Sequence, residues 1–437
     1  MVRLLANYKN RRRGIVAVLI ALVLIGLLGV TAIAIDGGLM QDNRRRVQAA
    51  ADAAAMAAAA QMFAEYRAIV LSNYTNFDPG NQAATVAYNS ANTNGYNNDG
   101  VTSTVTVNIP PKSGPFLGQI GYIEVLITYY QPRYFSTIWG SGTLPISVRA
   151  VSRGAWVGSN DGILVLDPNA KGSLTSTGGG SVVVTGGANV IVDSSNTSAA
   201  IDSGGGASTA NQFLVTGGYS GVFNGPVQTG VPPTPDPLRN LPVPTMPSAG
   251  VMTKKKDPVT GGTVYTLSPG LYTNLPNFTN GDTVYFQQAS AGNGGIYWIQ
   301  GGFTANSANL LMDPTSSGGL MFYNDPTNSS NSQGFSIAGN ASSTIILSAL
   351  SDGPYAGILF WQRRDAATSI NITGNGNFNL TGTFYAANAN MQVSGNGNAI
   401  IGSQYIARTV SFSGNGATLI NYTDKGTARM RIIQLVE

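Results

Sequence analysis

The strongest hydrophobic feature of the chain is an uncharged apolar run from Ile15 to Ile35. A helix rising ~1.5 Å per residue over this run would span about 31 Å, the thickness of a bilayer hydrocarbon core. A secretory signal has a hydrophobic region of only roughly 7–15 residues. The pattern therefore favours an uncleaved membrane-spanning helix. The alternatives are a cleaved signal, since Ala32 to Ala34 resembles a cleavage site, and a processed pilin-like leader.

The charges that flank this run predict its orientation. Lys9 and Arg11 to Arg13 adjoin its N-terminal end, whereas the next basic residues after Asp36 are Arg44 to Arg46. Lys and Arg close to a membrane favour the cytoplasmic side. We predict residues 1–14 inside the cell and the bulk of the chain outside it. The protein would then be single-pass in a bacterial inner membrane, with a periplasmic or extracellular body.

After the apolar run the pattern predicts a small α+β module. Residues 36–72 are rich in alanine and other helix formers and would continue the anchor helix. Residues 73–156 begin with a second short helix, which Gly95 closes. Three alternating, β-branched runs follow, starting at Val101, Gly121 and Leu144. A long N-terminal helix followed by a small antiparallel sheet is a pilin-like arrangement.

The residues of the first helix resemble a known family. Arg13-Gly14, the apolar run, Asp36-Gly37 and then "RRRVQAAADAAAMAAAA" resemble the N-terminal segment of the Tad (tight adherence, Flp pilus-assembly) TadG/TadE-like proteins. The positions that match the pattern of that family are Gly14, Asp36, Arg46, Gln48 and Asp52. The resemblance implies an assembly role for these residues and the Tad pilus or secretion machinery as partners.

The chain departs from the family in one respect. Pilins and TadE-like pseudopilins carry a glutamate just after the glycine, and the fifth residue after Gly14 is Leu19. This difference favours a TadG-like anchored protein. Asp52 also has a purely local interpretation, because it lies four residues after Gln48, where the two side chains can form a hydrogen bond on one helix face.

Beyond residue 156 the chain consists of short apolar runs separated by glycine and asparagine. Three phrases with alternating apolar positions end in Gly-Asn-Gly, and a second phrase interleaves with them. The first glycines of the two phrases are Gly374, Gly395 and Gly414, and Gly295, Gly319, Gly357, Gly382 and Gly402. Short strands that recur every ~20 residues are typical of a solenoid.

We therefore predict an all-β, right-handed parallel β-helix in two parts, residues 157–228 and 251–437. The proline-rich residues 229–250 would be a linker or a strap that crosses the solenoid surface. Such a solenoid with a proline-rich insert resembles the β-helical regions of bacterial Tad-like surface proteins.

Composition narrows the chemistry that the chain can perform. It has no histidine and no cysteine, only 10% charged residues, and a net charge of +4. The absence of His and Cys excludes Ser-His-Asp and Cys-His catalysis, His or Cys zinc sites, and disulfides. The basic clusters, including Lys254 to Lys256, lack the interleaved aromatic residues of a nucleic-acid site. No catalytic, metal-binding or cofactor-binding residue is predicted, and no nucleic-acid partner.

One local pattern imitates a metal site. Asp193, Ser195 and Thr197 form the D-x-S-x-[ST] array of a metal-ion-dependent adhesion site. The sequence that follows them, "IDSGGGASTANQ", does not form the amphipathic helix that this fold requires. We interpret the array as turn chemistry of the repeat.

Three functional hypotheses remain. The first is a membrane-anchored, non-enzymatic Tad-type protein that presents its β-helix outside the cytoplasm for surface assembly or adhesion. The second is a surface β-helix that binds or cleaves envelope polysaccharide, for which "WQRRDAA" at Arg363 to Asp365 is the candidate basic and acidic cluster. The third is a self-assembling polymer of stacked coils. We favour the first, with the lipid bilayer as its partner.

Overall fold

The structure is a computed structural model that describes residues 6–71, 78, 80–119, 121–157, 159–259, 261–290, 294–328, 333–375, 377–395, 399–423, 426–428 and 430–437. The chain divides into two compact units. The first comprises Met1–Trp156 and Arg431–Glu437, and the second comprises Val157–Met430. The second unit is therefore an insertion in the sequence of the first.

The first unit combines helices with an antiparallel sheet. Its elements are α1 (Ala6–Leu71), α2 (Gln82–Thr93), β1 (Ser103–Asn108), β2 (Tyr122–Pro132), a 3₁₀ helix η1 (Ser136–Trp139) and β3 (Thr143–Val157). Both β1 and β3 pair with β2 in antiparallel register. Gly95, at φ 90°, closes α2, and the amide of Tyr96 donates to the Ala91 carbonyl. The predicted helix and the three predicted strands are confirmed.

Alanine on α1 and α2 allows a close approach between the helices and the sheet. The alanine-rich buried face of α1 consists of Val47, Ala50, Ala51, Ala54, Ala55, Ala58, Ala59 and Met62. Ala83, Ala87 and Ala91 of α2 are buried in the same core. At Gly154 a Cβ atom would lie 2.4 Å from the Ala59 carbonyl oxygen, so only glycine fits where β3 crosses α1.

The second unit is a parallel β-solenoid with strands on three faces. Its strands are β4 (Asp161–Val165), β5 (Leu174–Ser176), β6 (Val182–Thr185), β7 (Asn189–Val192), β8 (Ala200–Asp202), β9 (Ser208–Thr209), β10 (Phe213–Val215), β11 (Tyr219–Gly221), β12 (Phe223–Asn224), β13 (Val227–Thr229), β14 (Met252–Lys256), β15 (Thr263–Leu267), β16 (Gly270–Tyr272), β17 (Thr283–Phe286), β18 (Ile296–Ile299), β19 (Phe303–Asn306), β20 (Asn309–Met312), β21 (Met321–Asn324), β22 (Phe335–Gly339), β23 (Thr344–Ser348), β24 (Ile358–Gln362), β25 (Ile370–Gly374), β26 (Asn377–Thr381), β27 (Thr383–Gly395), β28 (Ala399–Ile401), β29 (Gln404–Gly414) and β30 (Thr418–Asn421). The predicted fold class is confirmed.

The glycines of the first sequence phrase mark equivalent positions of successive coils. Gly374 pairs in register with Gly395, and Gly395 with Gly414. Strands that follow the second phrase place aromatic side chains inside the solenoid, where Phe384 and Tyr405 stack with ring centroids 5.4 Å apart. The inward positions of the repeat thus form the continuous core that its pattern predicts.

The coils do not stack in the order of the sequence. One face has the order β13-β10-β7-β4-β29-β27-β24-β21-β18-β16. The last coil, at β29, therefore pairs with the first coil, at β4, and the two parts of the solenoid extend from this junction in opposite directions. Tyr405 pairs with Ile163 there, and the Gln404 amide donates to the Asp161 carbonyl oxygen at 2.8 Å.

The proline-rich segment between the two parts is a strap on the solenoid surface. The Thr234 amide donates to Asp193 at 2.8 Å, and Tyr385 of β27 donates its hydroxyl to Asp236 at 2.7 Å. Further on, Ala249 forms a parallel bridge with Leu271 of β16. Of the two sequence alternatives, linker and strap, the structure has the strap.

The chain ends in the first unit. Strand β31 (Met430–Leu435) lies beside β3 as the fourth strand of the antiparallel sheet. Val151 of β3 donates its amide to the Glu437 carbonyl at 2.7 Å. The sequence pattern placed all of residues 251–437 in the second part of the solenoid, whereas these last residues complete the first sheet.

Candidate functional site

Helix α1 has an exposed apolar half and a packed alanine-rich half. Of the helices in the described part of the chain, α1 is the one that is long and apolar enough to cross a membrane. Side chains such as Leu22 and Ile25 are more than half exposed. The exposure of these apolar side chains to water is unfavourable by roughly 25 cal/mol per Å² of apolar surface. Helix α1 is a candidate membrane anchor.

Asp36 marks the end of the apolar half and is 3% exposed. Its carboxylate accepts the amide of Ser136 at 2.7 Å and the amide of Phe135 at 3.2 Å. These amides belong to the connection between β2 and β3, at the start of η1. Asp36 therefore fixes this connection against the helix, a contact across almost a hundred residues that the sequence did not indicate.

Gln48 and Asp52 lie on one face of α1. The Gln48 amide donates to Asp52 at 2.7 Å and to the Arg149 carbonyl of β3 at 3.1 Å. The local hydrogen bond that the sequence predicts is present, and it also ties the helix to the sheet. Arg46 forms an ion pair with Asp42 at 2.9 Å, one turn earlier. Both side chains are largely exposed, so this pair contributes little to stability.

The polar side of α1 has an open, shallow hollow. It is lined by Gln41, Arg44, Arg45, Gln48, Ala49 and Asp52. Arg44 and Arg45 are exposed. The five family positions are therefore not gathered in one site. Asp36 and Gln48 bond to other elements of the first unit and Asp52 bonds to Gln48, whereas Arg46 and its basic neighbours face outward.

Gly14 lies within α1, near its N-terminal end. The side chains of Lys9 and Arg11 to Arg13, which carried the predicted orientation, lie outside the described side chains. Their positions in the helix are consistent with one continuous element from the basic flank through the apolar run.

Glu124 is the centre of a buried polar network that the sequence did not single out. Arg149 donates to it at 2.6 Å, Asn108 at 2.7 Å and the Lys112 amide at 3.0 Å, and Ser113 donates as well. Burial alone raises the pKa of this carboxyl group, but the hydrogen bonds outweigh burial and lower the pKa to about 2. Arg149 also pairs with Glu437. The network joins β1, β2 and β3 to the last residue of the chain.

The candidate basic and acidic cluster of the solenoid has structural partners. Arg363 pairs with Asp325 at 2.7 Å and with Asp365 at 2.6 Å. Arg364 donates to the carbonyls of Leu238 and Leu241 in the strap, both at 2.6 Å. Within the described part of the chain no three His, Cys, Asp or Glu residues form a group that could hold a metal ion.

The array that imitates a metal site is used in turns. Asp193 accepts the strap amide of Thr234, and the Ser195 hydroxyl donates to the Pro168 carbonyl at 3.0 Å. The first contact joins this turn to the strap, and the second joins it to the neighbouring coil. They agree with the interpretation of the array as turn chemistry.

These features define a class: a protein with a candidate membrane-anchor helix, an antiparallel sheet packed on that helix, and a parallel β-solenoid inserted in the sequence between the last two strands of the sheet. Residues 14–61 match the Tad family model, described as putative Flp pilus-assembly TadE/G-like. The N-terminal segment of the chain is thus a Tad segment, and the resemblance of this segment is confirmed. The match ends before the solenoid, whose own resemblance stays a prediction. Neither a curated protein nor a solved structure matches the chain.

Proposed function

We propose that this chain is a membrane-anchored, non-enzymatic protein of the Flp pilus-assembly type, which presents its solenoid outside the cytoplasm for surface assembly or adhesion. One observation carries the proposal: the residues that match the Tad family model form a single helix with an exposed apolar half and a half packed on a sheet. This arrangement suits a bilayer anchor joined directly to an assembly module.

The proposed orientation has the N-terminus in the cytoplasm. It is supported by the basic residues next to the apolar run, since Arg11 to Arg13 precede it with only Gly14 between. The absence of cysteine from the chain permits a direct test. A single cysteine at Leu117, exposed in the first unit, and another at Asn7 should respond oppositely to a membrane-impermeant maleimide.

We expect Leu117→Cys to be labelled on spheroplasts and Asn7→Cys only after lysis. Both variants should stay with membranes after alkaline carbonate extraction, and a control with Leu24→Arg and Leu28→Arg should not. Labelling of Asn7→Cys on spheroplasts would reverse the orientation. Loss of the parent protein from the carbonate pellet would overturn the anchor itself.

The assembly role is assigned to the outward surface of α1 around the hollow. Arg44 and Arg45 are exposed there, whereas Arg46 pairs with Asp42. In a host that makes Flp pili, charge reversal at Arg44 and Arg45 should reduce the number of pili per cell. Charge reversal at Lys112 and Lys171, which are exposed and lie outside α1, is the matched control. Normal piliation in a deletion strain that lacks this chain would contradict the proposal.

Two observations weigh against the alternative functions. A sugar-binding platform needs exposed aromatic rings, but the outer aromatic row of Tyr323, Trp361 and Tyr385 is buried beside the strap. Coil stacking into a polymer needs open edges, and β14 covers one edge with an antiparallel strand that carries the exposed Lys254 to Lys256. Lysine on an edge strand opposes pairing with another chain.

A further inference from the structure

The connection between β2 and β3 lies against the end of the apolar half of α1. Its amides at Phe135 and Ser136 donate to Asp36, and η1 within it contacts the same helix. We name residues 133–139 the aromatic loop, because they read Arg-Tyr-Phe-Ser-Thr-Ile-Trp. Asp36 thus holds an aromatic segment at the level where the apolar run stops.

The covered part of α1 extends into the apolar run itself. Gly29 and Ala32 are buried, and they lie on the same stripe of the helix as Asp36. At ~1.5 Å per residue, Gly29 lies about 10 Å before Asp36 along the helix. A Cβ atom built at Gly26, one turn earlier, would meet nothing within 4 Å. The buried stripe of α1 therefore extends about two turns into the apolar run and then ends.

Two side chains of the aromatic loop point away from the core of the first unit. Tyr134 is 59% exposed and Phe135 is 52% exposed. Large exposed aromatic side chains next to an apolar helix have an unfavourable environment in water. Tyr and Trp are enriched where membrane helices cross the bilayer interface, because their rings are apolar and their polar groups remain hydrated.

The charges on the same side of the apolar run suit lipid headgroups. Arg44 and Arg45 follow Asp36 by eight and nine residues, so they lie about 12–14 Å further along the helix. A long arginine side chain extends back towards the interface from such a position. A basic residue near an anionic bilayer surface strengthens membrane binding.

We propose that the aromatic loop is a second membrane contact, which inserts Tyr134 and Phe135 into the interfacial layer on the side where α1 leaves the bilayer. The partner is a lipid bilayer, and Arg44 and Arg45 face its headgroups. The inference rests on the proposed membrane anchor. With two contacts, the first unit has a fixed depth and a limited tilt at the membrane surface.

The test places single cysteines in the full chain, which has none of its own. The variants are Phe135→Cys in the loop, Leu22→Cys in the apolar run and Leu117→Cys, whose side chain is 64% exposed in the same unit. Each is labelled with an environment-sensitive fluorophore and reconstituted into phosphatidylethanolamine–phosphatidylglycerol vesicles. The vesicles contain lipid that carries a nitroxide quencher either near the headgroup or deep in the acyl chain.

We expect the shallow quencher to remove most of the fluorescence at position 135 and the deep quencher to act mainly at position 22. The label at position 117 should respond to neither. Adding Asp36→Asn to Phe135→Cys should weaken the quenching at position 135, because the carboxylate that holds the loop amides is lost. The quenching at position 22 should not change.

The outcomes separate the inference from the anchor on which it rests. If the label at position 22 is quenched and the label at position 135 behaves like that at 117, the loop contact is wrong and the anchor stands. If neither is quenched, both are wrong. A label at position 135 that is shielded from aqueous iodide but not quenched by lipid would also overturn the inference, because a protein partner would then cover the loop.

Discussion

Glu124 lies in the first unit with its carboxylate fully buried and four kinds of donor around it. We predict that Glu124→Gln lowers the free energy of unfolding by about 3 kcal/mol at pH 7, because Arg149 loses a buried partner. Urea unfolding followed by tyrosine and tryptophan fluorescence measures this change. Asp352→Asn, in an exposed turn, is the control and should change stability by less than ~0.5 kcal/mol.

The same carboxylate predicts acid sensitivity. Its pKa in the folded chain, about 2, lies below the roughly 4.3 of an unfolded glutamate. The stabilisation is therefore complete above the unfolded value and is lost as the pH falls from about 4 to 2. The stability difference between the parent chain and Glu124→Gln should shrink over this interval. A stability difference that stays constant between pH 4 and pH 2 would show that the hydrogen bonds to Glu124 do not lower its pKa.

Asp161 shows the opposite behaviour at the start of β4. Burial raises its pKa to about 6, although hydrogen bonds from Ser159 and Asn189 act in the other direction. The folded chain binds this proton more tightly than the unfolded chain, whose pKa is about 3.9. The stabilisation that comes from proton binding by Asp161 is therefore present below about pH 4 and is lost as the pH rises to 6.

We expect Asp161→Asn to be more stable than the parent at pH 8 by up to about 2 kcal/mol, since the buried charge is gone. Its midpoint of urea unfolding should also vary less between pH 4 and pH 7. Equal pH profiles for the two proteins would show that Asp161 keeps an ordinary pKa in the folded chain.

What the sequence could predict about single residues depended on the distance between partners along the chain. The Gln48–Asp52 hydrogen bond follows from helical spacing, and the family positions follow from a recognisable pattern. Asp36 and Glu124 could not be assigned partners, because their donors come from other elements of the sheet and its connections. Only the tertiary fold brings those groups together.

At the scale of elements, the strap depends on one side chain. Arg364 donates to two strap carbonyls and to the Tyr385 hydroxyl, and it lies 4.8 Å from the Trp361 ring centroid. Arg364→Ala should cost at least about 2 kcal/mol locally, since hydrogen bonds to charged groups are lost. The freed strap should then be cleaved faster by trypsin after Arg239, which mass spectrometry of the fragments measures.

The neighbouring arginine is a matched control for this experiment. Arg363 pairs with Asp325 and Asp365, whereas the strap carbonyls of Leu238 and Leu241 accept hydrogen bonds from Arg364. Arg363→Ala should leave cleavage after Arg239 at the parental rate. Equal acceleration in the two variants would mean that general loosening of the solenoid, and not release of the strap, exposes the site.

Most elements were predictable from the sequence, and their order in space was not. Alternating apolar positions predicted β1 to β3 of the first unit but not β31, and the phrases around Gly374, Gly395 and Gly414 predicted successive coils of the solenoid. The stacking of β29 on β4 was missed, because both strands have the same short apolar pattern as every other coil. Periodicity identifies a coil, but it does not identify the neighbours of that coil.

At the scale of the whole molecule, the junction between the last and first coils requires close backbone approach. At Gly180 a Cβ atom would lie 2.1 Å from the Gly416 carbonyl oxygen. Gly180→Ala should therefore separate the β6 and β30 coils and lower the free energy of unfolding by about 1–3 kcal/mol. Amide hydrogen exchange should speed up in β4 to β6 and in β29 and β30.

Gly179→Ala tests whether the effect expected for Gly180→Ala comes from the close backbone contact between Gly180 and Gly416. A Cβ atom at Gly179 would lie 3.2 Å from the side-chain oxygen of Asn415, which can move aside more readily than backbone. This variant should exchange its amides at nearly the parental rate. Equally fast exchange in the two variants would show that any side chain in the turn at residues 179 and 180 is destabilising, whether or not it meets the backbone of the facing coil.

The stacking of the final coil on the first one has a consequence for synthesis. The strands β4 to β6 are made early, yet their partners β29 and β30 come more than two hundred residues later. Until then the growing chain carries a bare parallel edge, and a neighbouring nascent chain that supplies its own final coil can occupy it. Crowded synthesis of many copies should therefore yield interlocked dimers by exchange of these coils, a product that slow expression suppresses.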